Sequence, residues 1–332
     1  MTEKSVYAEL TDRMMLTGSA IIPRLLEMLA DDREAKVLMA MPGMPDEVAA
    51  ASGFDGDALE DLLASLFHKG LIFYSSSGKV RMCRDVAQLH DATILWPEAP
   101  KEFLDLWQAF METEWPGFAR MIEAFLPQPF TRVVPVEASI DAKNQILSTE
   151  CVREIVESAD KLAVTNCTCR LIAGKCDHPL DVCLQVGRAA EYTLARGTGK
   201  EVDAAEAMAM LARCEAEGLI HVTMNTAKAN HFICNCCPDC CQTMPVLLEE
   251  GIKLIAPSRY RASIDGEACI GCGACVERCP FDALTLDEGA NGETGLSMVN
   301  EEKCFGCGLC RVVCESEAIA LREARPPEHI PA

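Results

Sequence analysis

The stretch IDGEACIGCGACVERCPFDALTL, residues 264–286, recurs 35 positions later as VNEEKCFGCGLCRVVCESEAIAL, residues 299–321. Cys269, Cys272, Cys275 and Cys279 fall on Cys304, Cys307, Cys310 and Cys314, and Ala283 and Leu286 fall on Ala318 and Leu321. Each half reads C-x2-C-x2-C-x3-C. That spacing wraps three thiolates round one face of an iron–sulfide cube and carries the fourth too far along to close it. The repeat therefore predicts two [4Fe–4S] clusters that exchange their fourth ligands. Cluster one takes Cys269, Cys272, Cys275 and Cys314; cluster two takes Cys304, Cys307, Cys310 and Cys279. Gly271, Gly273, Gly306 and Gly308 let the backbone wrap closely and aim N–H groups at sulfur. Zinc also uses C-x2-C pairs, but three evenly spaced cysteines, duplicated, are the iron–sulfur pattern.

Ten more of the 20 cysteines lie between Cys167 and Cys241, leaving only Cys83 and Cys151 elsewhere. One group is Cys167, Cys169, Cys176 and Cys183; a second, in what reads as a loop from His231, is Cys234, Cys236, Cys237, Cys240 and Cys241. Thiols this dense need a metal, because neighbouring thiolates repel and neighbouring thiols oxidise. At least one further [4Fe–4S] cluster is expected here, with a four-thiolate zinc site as the rival. The first group suffices for one cubane alone, while the second holds another or shares ligands with it. Surplus thiols admit a non-cubane cluster or a catalytic dithiol, with His231 as a nearby proton carrier. His178 and Arg170 neighbour the first group. Cys214 sits in a helical apolar pattern and reads as a core thiol.

Working further outward, residues 136–262 read as α/β: a helix over Ser148–Asp160, a strand at Leu162–Thr165, a helix over Val182–Arg196, and a helix from Asp203 with Glu206 in a capping box. Leu219–Met224 and Ile252–Ile255 read as strands, and Met244–Glu250 as a helix. Residues 96–135 hold six prolines and all three tryptophans, suggesting a connector with helices at Lys101–Phe110 and Gly117–Phe125 broken at Pro116. In residues 1–95, Val37–Met41 is a short apolar stretch, Asp46–Ala51 a helix, and Asp57–Lys69 a helix with Leu59, Leu62, Leu63 and Leu66 on one face. Leu71–Tyr74 and Lys79–Met82 flank a hairpin loop. The helix that would enter a DNA groove carries Glu60 and Asp61, so a docking or dimerising role is preferred over nucleic acid. The scheme is α+β with four parts: 1–95, 96–135, 136–262 and 263–332.

The order of these segments resembles multidomain 4Fe–4S binding proteins of strict anaerobes: a winged-helix start, the Pro135-Val136 connector, NCTCR at 166–170, ICNCC at 233–237, then the duplicated tail. Residues 263–322 resemble a bacterial-type two-cluster ferredoxin, which implies a βαβ-repeat fold and single-electron shuttling. One departure is visible. Pro280 follows Cys279, whereas Glu315 follows Cys314, placing an extra N–H and a charge near cluster one.

Net charge is −21, with 51 acidic against 30 basic residues. Such a surface repels nucleic acid and anionic lipid and suits a basic docking face on a protein. The start MTEKSVYAEL precedes no apolar signal segment, and no apolar run approaches the ~20 residues of a membrane span. Reduced thiols then point to the cytoplasm of an anaerobe. No G-x-G-x-x-G or G-x-x-x-x-G-K-[ST] loop is present, which disfavours flavin or nicotinamide on this chain. The expected role is low-potential electron relay between a redox partner, a flavoprotein or larger oxidoreductase, and a further cluster in the middle segment. The alternatives are an iron–sulfur reductase with a catalytic cluster or dithiol there, and a redox-sensing regulator. A homodimer through the N-terminal segment is also expected.

Overall fold

The structure is a computed structural model that describes residues 4–136, 139, 150–228, 231–287 and 295–332. Helices and strands are mixed along the chain, which divides into two compact units. The first comprises Met1–Phe118, Thr168–Gly174 and Ala195–Thr198; the second comprises Ala119–Cys167, Lys175–Leu194 and Gly199–Ala332.

The first unit opens with α1 (Val6–Arg13), α2 (Ile22–Leu29), α3 (Asp32–Met39), α4 (Pro45–Ser52) and α5 (Gly56–His68). Asp31 starts α3 by accepting from the backbone N–H groups of Arg33 and Glu34, while the Glu34 carboxylate accepts from the Asp31 N–H. Three otherwise unmatched donors are satisfied this way. The apolar stretch beginning at Val37 is thus the last turn of a helix. Gly53, at φ 77°, ends α4 in the left-handed conformation that favours glycine. Along α5, Leu59, Leu62, Leu63 and Leu66 are buried, and Asp57, Glu60 and Asp61 are exposed. β1 (Ile72–Tyr74) and β2 (Val80–Met82) then pair antiparallel, Ile72 opposite Met82. They are followed by α6 (Val86–Thr93) and α7 (Lys101–Thr113). Trp107, Phe103 and Phe110 are fully buried, and the Trp107 ring meets His90 edge-on at 5.3 Å. These aromatics are packing groups.

The chain leaves the first unit within α8 (Trp115–Phe125). The helical break expected at Pro116 is narrower than its residue type suggests. Pro116 falls in the first turn of α8, where its missing N–H would have no intrahelical acceptor.

The second unit is built on a seven-stranded sheet. Its strands and the helices between them are β3 (Thr131–Val133), α9 (Val152–Glu157), β4 (Leu162–Thr165), α10 (Thr168–Ala173, part of the first unit), β5 (Cys183–Val186), α11 (Arg188–Ala195), β6 (Gly199–Glu201), α12 (Ala204–Ala216), β7 (Ile220–Met224), β8 (Phe232–Cys236), α13 (Met244–Glu250) and β9 (Ile255–Ala256). The order is β6-β4-β5-β8-β7-β3-β9; every pairing is antiparallel except β3 with β9.

Four local expectations change here. Val182–Arg196 is a strand followed by a helix, divided at Gly187 with φ 58°. ICNCC is mostly strand β8, so several cysteines sit in the sheet as well as in loops. The strand expected at Ile252–Ile255 is only Ile255–Ala256. The helix expected from Ser148 begins at Val152 among the described residues; Ser148 and Thr149 lie outside them. The capping box of α12 is present, Asp203 accepting from the Glu206 N–H at 2.8 Å and Glu206 from the Asp203 N–H at 3.0 Å.

The tail of this unit is two β-α-β halves: β10 (Tyr260–Ile264), α14 (Ala274–Glu277) and β11 (Leu284–Leu286), then β12 (Ser297–Val299), α15 (Leu309–Val312) and β13 (Ile319–Glu323). β10 pairs antiparallel with β13, and β11 with β12. The duplication is written into the backbone: Gly271 and Gly306 both have φ 65°, Gly273 and Gly308 have φ 77° and 82°, and Asp282 and Glu317 have φ 50° and 56°. Two copies of one ligand-wrapping conformation result.

Candidate metal centres

Those two halves gather eight thiols round two cavities. Cys269, Cys272, Cys275 and Cys314 line one; Cys279, Cys304, Cys307 and Cys310 line the other. Each cavity takes three thiols from one half and one from the other. Backbone N–H groups point at sulfur, that of Ala262 at Cys304 Sγ (3.5 Å) and that of Ala283 at Cys279 Sγ (3.4 Å). The second cavity is the deeper, with Cys304, Cys307 and Cys310 all buried, and the rings of Phe281 and Phe305 stack at 4.4 Å against it. Burial pushes the Cys307 thiol up to about 12 and raises Cys279 and Cys310 as well. In the first cavity Cys272 is exposed, and a hydrogen bond from the Ser297 backbone holds Cys269 below the ordinary thiol value. Four soft sulfur donors in a largely apolar wall suit iron, which draws off the protons that burial would otherwise hold.

Residues 268–326 match the 4Fe-4S dicluster domain. The chain also resembles Protein Pixie of Drosophila melanogaster, 40% identical over 52 residues, which are 15% of this chain and 8% of that protein. It is 56% identical over 36 residues to a ferredoxin of Pyrobaculum islandicum, covering 11% of this chain and 32% of that one. It is 37% identical over 71 residues to NADH-quinone oxidoreductase subunit I 2 of Geobacter metallireducens, covering 21% and 53%. The chain thus spans about half or less of the relatives it matches, and the likeness is one of modules. Iron–sulfur clusters and electron transfer are the chemistry of this dicluster domain, as the cysteine repeat leads one to expect.

Upstream of the dicluster domain, sheet register decides which cysteines meet. Thr165 of β4 lies opposite Cys183 of β5, and Leu184 of β5 opposite Ile233 of β8. β4 and β8 therefore end, and β5 begins, at one edge of the sheet. Cys167, Cys183, Cys234 and Cys236 come to that edge. Cys176, in the connection from β4 to β5, stands with its Sγ 3.8 Å from that of Cys237 and 3.5 Å from that of Cys240. Burial, with the hydrogen bond to Cys176 adding to it, pushes the Cys240 thiol up to about 12. Cys236 instead meets Cys234, Cys241 and Cys167. Its bond with Cys234 favours the thiolate, but the bond with Cys241, burial and the charges of Cys241 and Cys167 outweigh it and raise the thiol well above its ordinary value. The thiols thus associate across the two sequence groups. Cys169 lies on α10 in the first unit, and Cys183 Sγ accepts from Gln185 Nε2 at 3.2 Å.

The histidines also sort differently from their sequence neighbourhoods. His231 is exposed at the entry to β8, and His178 faces Glu217 at 3.6 Å. Within the second unit the buried histidine is His221 on β7, directly opposite Asn235. Its Nδ1 lies 2.6 Å from Asn235 Oδ1 and its Nε2 3.1 Å from Glu215 Oε1. Asn235 in turn donates to the Val182 carbonyl at 2.5 Å. This chain of polar groups occupies the face of β8 opposite Cys234 and Cys236. Only the β7–β8 register reveals it, since His221 and Asn235 are 14 residues apart.

Proposed function

We propose that the chain relays electrons between a protein partner and a metal centre in the segment before the dicluster domain. Cys269, Cys272, Cys275 and Cys314 hold cluster one, Cys304, Cys307, Cys310 and Cys279 hold cluster two, and Cys167, Cys234, Cys236 and Cys241 supply a further iron–sulfur centre. A [4Fe–4S] cluster when bound accepts and returns one electron at a time. The protein supplies the donor sulfurs, the N–H groups that tune them, and a dry path between them.

One observation carries this reading. A single buried cluster of apolar side chains contains Cys275, Cys304, Cys307 and Cys310 of the dicluster domain together with Cys236 and Cys241, with Cys234, Cys279 and Cys314 packed against it. Donors for all three centres therefore share one water-poor core inside the second unit. Arg278 of the dicluster domain also donates to the Ala216 carbonyl at the end of α12 (2.9 Å), and the Val136 N–H to the Cys307 carbonyl (2.9 Å).

Segment by segment, residues 1–95, winged-helix-like in the sequence of α3, α4, α5 and hairpin, dock or dimerise. Residues 96–135 connect, 136–262 hold the internal centre, and 263–332 exchange electrons with a flavoprotein or larger oxidoreductase in an anaerobe's cytoplasm. Among the described residues no helix is long and apolar enough to cross a membrane. The exposed carboxylates of α5 favour a protein over nucleic acid as partner. The test is iron content and EPR of the dithionite-reduced chain, purified without air. Two cubanes bring about eight irons, and a third about four more. Cys310→Ser should abolish one dicluster-domain signal and slow electron arrival at the internal centre; unaltered transfer would refute the relay.

A further inference from the structure

We infer that Cys176, Cys237 and Cys240 form a separate site for one tetrahedral, thiophilic metal ion, with its fourth coordination position left to an external ligand. The inference extends the relay just described and is independent of the two clusters in the dicluster domain.

The spacing of the sulfurs is the argument. In a cube, each cysteine holds a different iron, so the thiolates stand far apart. Around a single ion they share one centre: with metal–sulfur bonds near 2.3 Å and tetrahedral angles, neighbouring sulfurs lie about 3.8 Å apart. Cys176 Sγ is 3.8 Å from Cys237 Sγ and 3.5 Å from Cys240 Sγ, and all three sulfurs lie within 4.8 Å of one another. Among the described residues, no other set of three or more Cys, His, Asp or Glu donor atoms is so tight, and neither tetrad of the dicluster domain reaches it. The same fold thus holds thiols at two distinct spacings. The wide tetrads suit cubes, and the tight triad suits one ion.

No fourth Cys, His, Asp or Glu among the described residues lies within that distance of all three. Three thiolates on a divalent ion carry a net charge of −1 and leave one tetrahedral vertex unfilled. Closed structural sites use four protein ligands, whereas three plus an exchangeable ligand is the arrangement of reactive ones. Access follows from burial: Cys237 and Cys240 are buried, but Cys176 is half-buried between exposed Lys175 and Asp177. The open vertex suits a small soft donor, a thiol above all. Loading the ion releases three thiol protons to solvent and involves no change of oxidation state.

Cobalt(II) is the probe. The full chain, stripped of loosely held metal under anaerobic conditions, should bind one equivalent with the intense visible bands of tetrahedral thiolate coordination, on top of the constant cluster absorbance. Addition of 2-mercaptoethanol should shift those bands. Cys240→Ser and Cys237→Ser should each lose one zinc or one mononuclear iron per chain and leave dicluster EPR and iron unchanged; Cys214→Ser, at a core thiol, should lose none. Loss of about four irons from Cys240→Ser would assign these thiols to a cube and overturn the proposal. So would octahedral cobalt spectra or failure of the wild-type chain to take up the extra ion. Bands indifferent to added thiol would overturn the open vertex. Dicluster EPR, read in the same samples, separates any of these results from failure of the relay.

Discussion

Single residues in this chain are constrained most where the backbone wraps a metal. Gly306 has φ +65°, and a Cβ there would run into the Tyr260 carbonyl oxygen and Ser258 Oγ, both of which belong to the buried frame of the dicluster domain. Gly53 has a similar φ of +77° but nothing within 4 Å of the added atom. The comparison separates strain from collision. Gly53→Ala should cost about 1 kcal/mol, the left-handed penalty alone, while Gly306→Ala should cost about 3 kcal/mol or more once overpacking is added. Urea midpoints report the difference, and only the second variant should also lose iron. Cys83 behaves in the opposite way, as a thiol without metal. Burial raises its pKa from 9.0 to about 12, and its Sγ donates to the Gly70 carbonyl at 3.4 Å. Its contribution to stability is complete below the unfolded value and declines as pH rises from 9.0 toward about 12, because only the unfolded chain ionises in that window. Cys83→Ala should therefore flatten the alkaline fall in stability measured between about pH 8 and about pH 10. An unchanged slope would show that the native thiol is not held neutral.

Elements differ in how openly the sequence declares them. Local signals carry through well. Asp203 with Glu206 marks the start of α12 because both halves of a capping box lie within four residues, and Asp203→Ala should lower stability by about 1 kcal/mol with no loss of iron. A denaturation midpoint unmoved by that change would mean the box is idle. The duplicated tail is equally plain, since its ligands and glycines are fixed by short-range wrapping. β5 and β8 are another matter. Cys183-Leu184-Gln185-Val186 runs straight into a helical segment, and only the turn at Gly187 divides them. β7 is buried at four of its five positions, so the period-two signal of a half-exposed strand is missing. The grouping of the middle thiols is the least legible feature. Whether Cys176 meets Cys183 or Cys240 depends on pairings such as Leu184 with Ile233, between strands some fifty residues apart. The sequence pattern predicts metal there; the approach of Cys176 to Cys237 and Cys240, across the two groups, appears only with the register.

At the scale of the whole molecule, charge and core would divide the work of the proposed relay. The apolar cluster that joins Cys236 and Cys241 to the dicluster thiols keeps water from the path, while a net charge of −21 acts at the surface. Charges of one sign raise the encounter rate with an oppositely charged partner by about 10- to 1,000-fold at low salt. The gain disappears as the screening length contracts from about 30 Å at 0.01 M to about 3 Å at 1 M. Electron transfer from the reduced chain to a basic acceptor such as cytochrome c should therefore slow at least about tenfold between these two ionic strengths, while transfer to an uncharged small-molecule acceptor should stay level. Stopped-flow rates at constant driving force make the comparison. A rate that is flat with salt for the basic protein would place electron exit away from the acidic surface, and the partner would then have to recognise this chain by shape and apolar contact instead of charge.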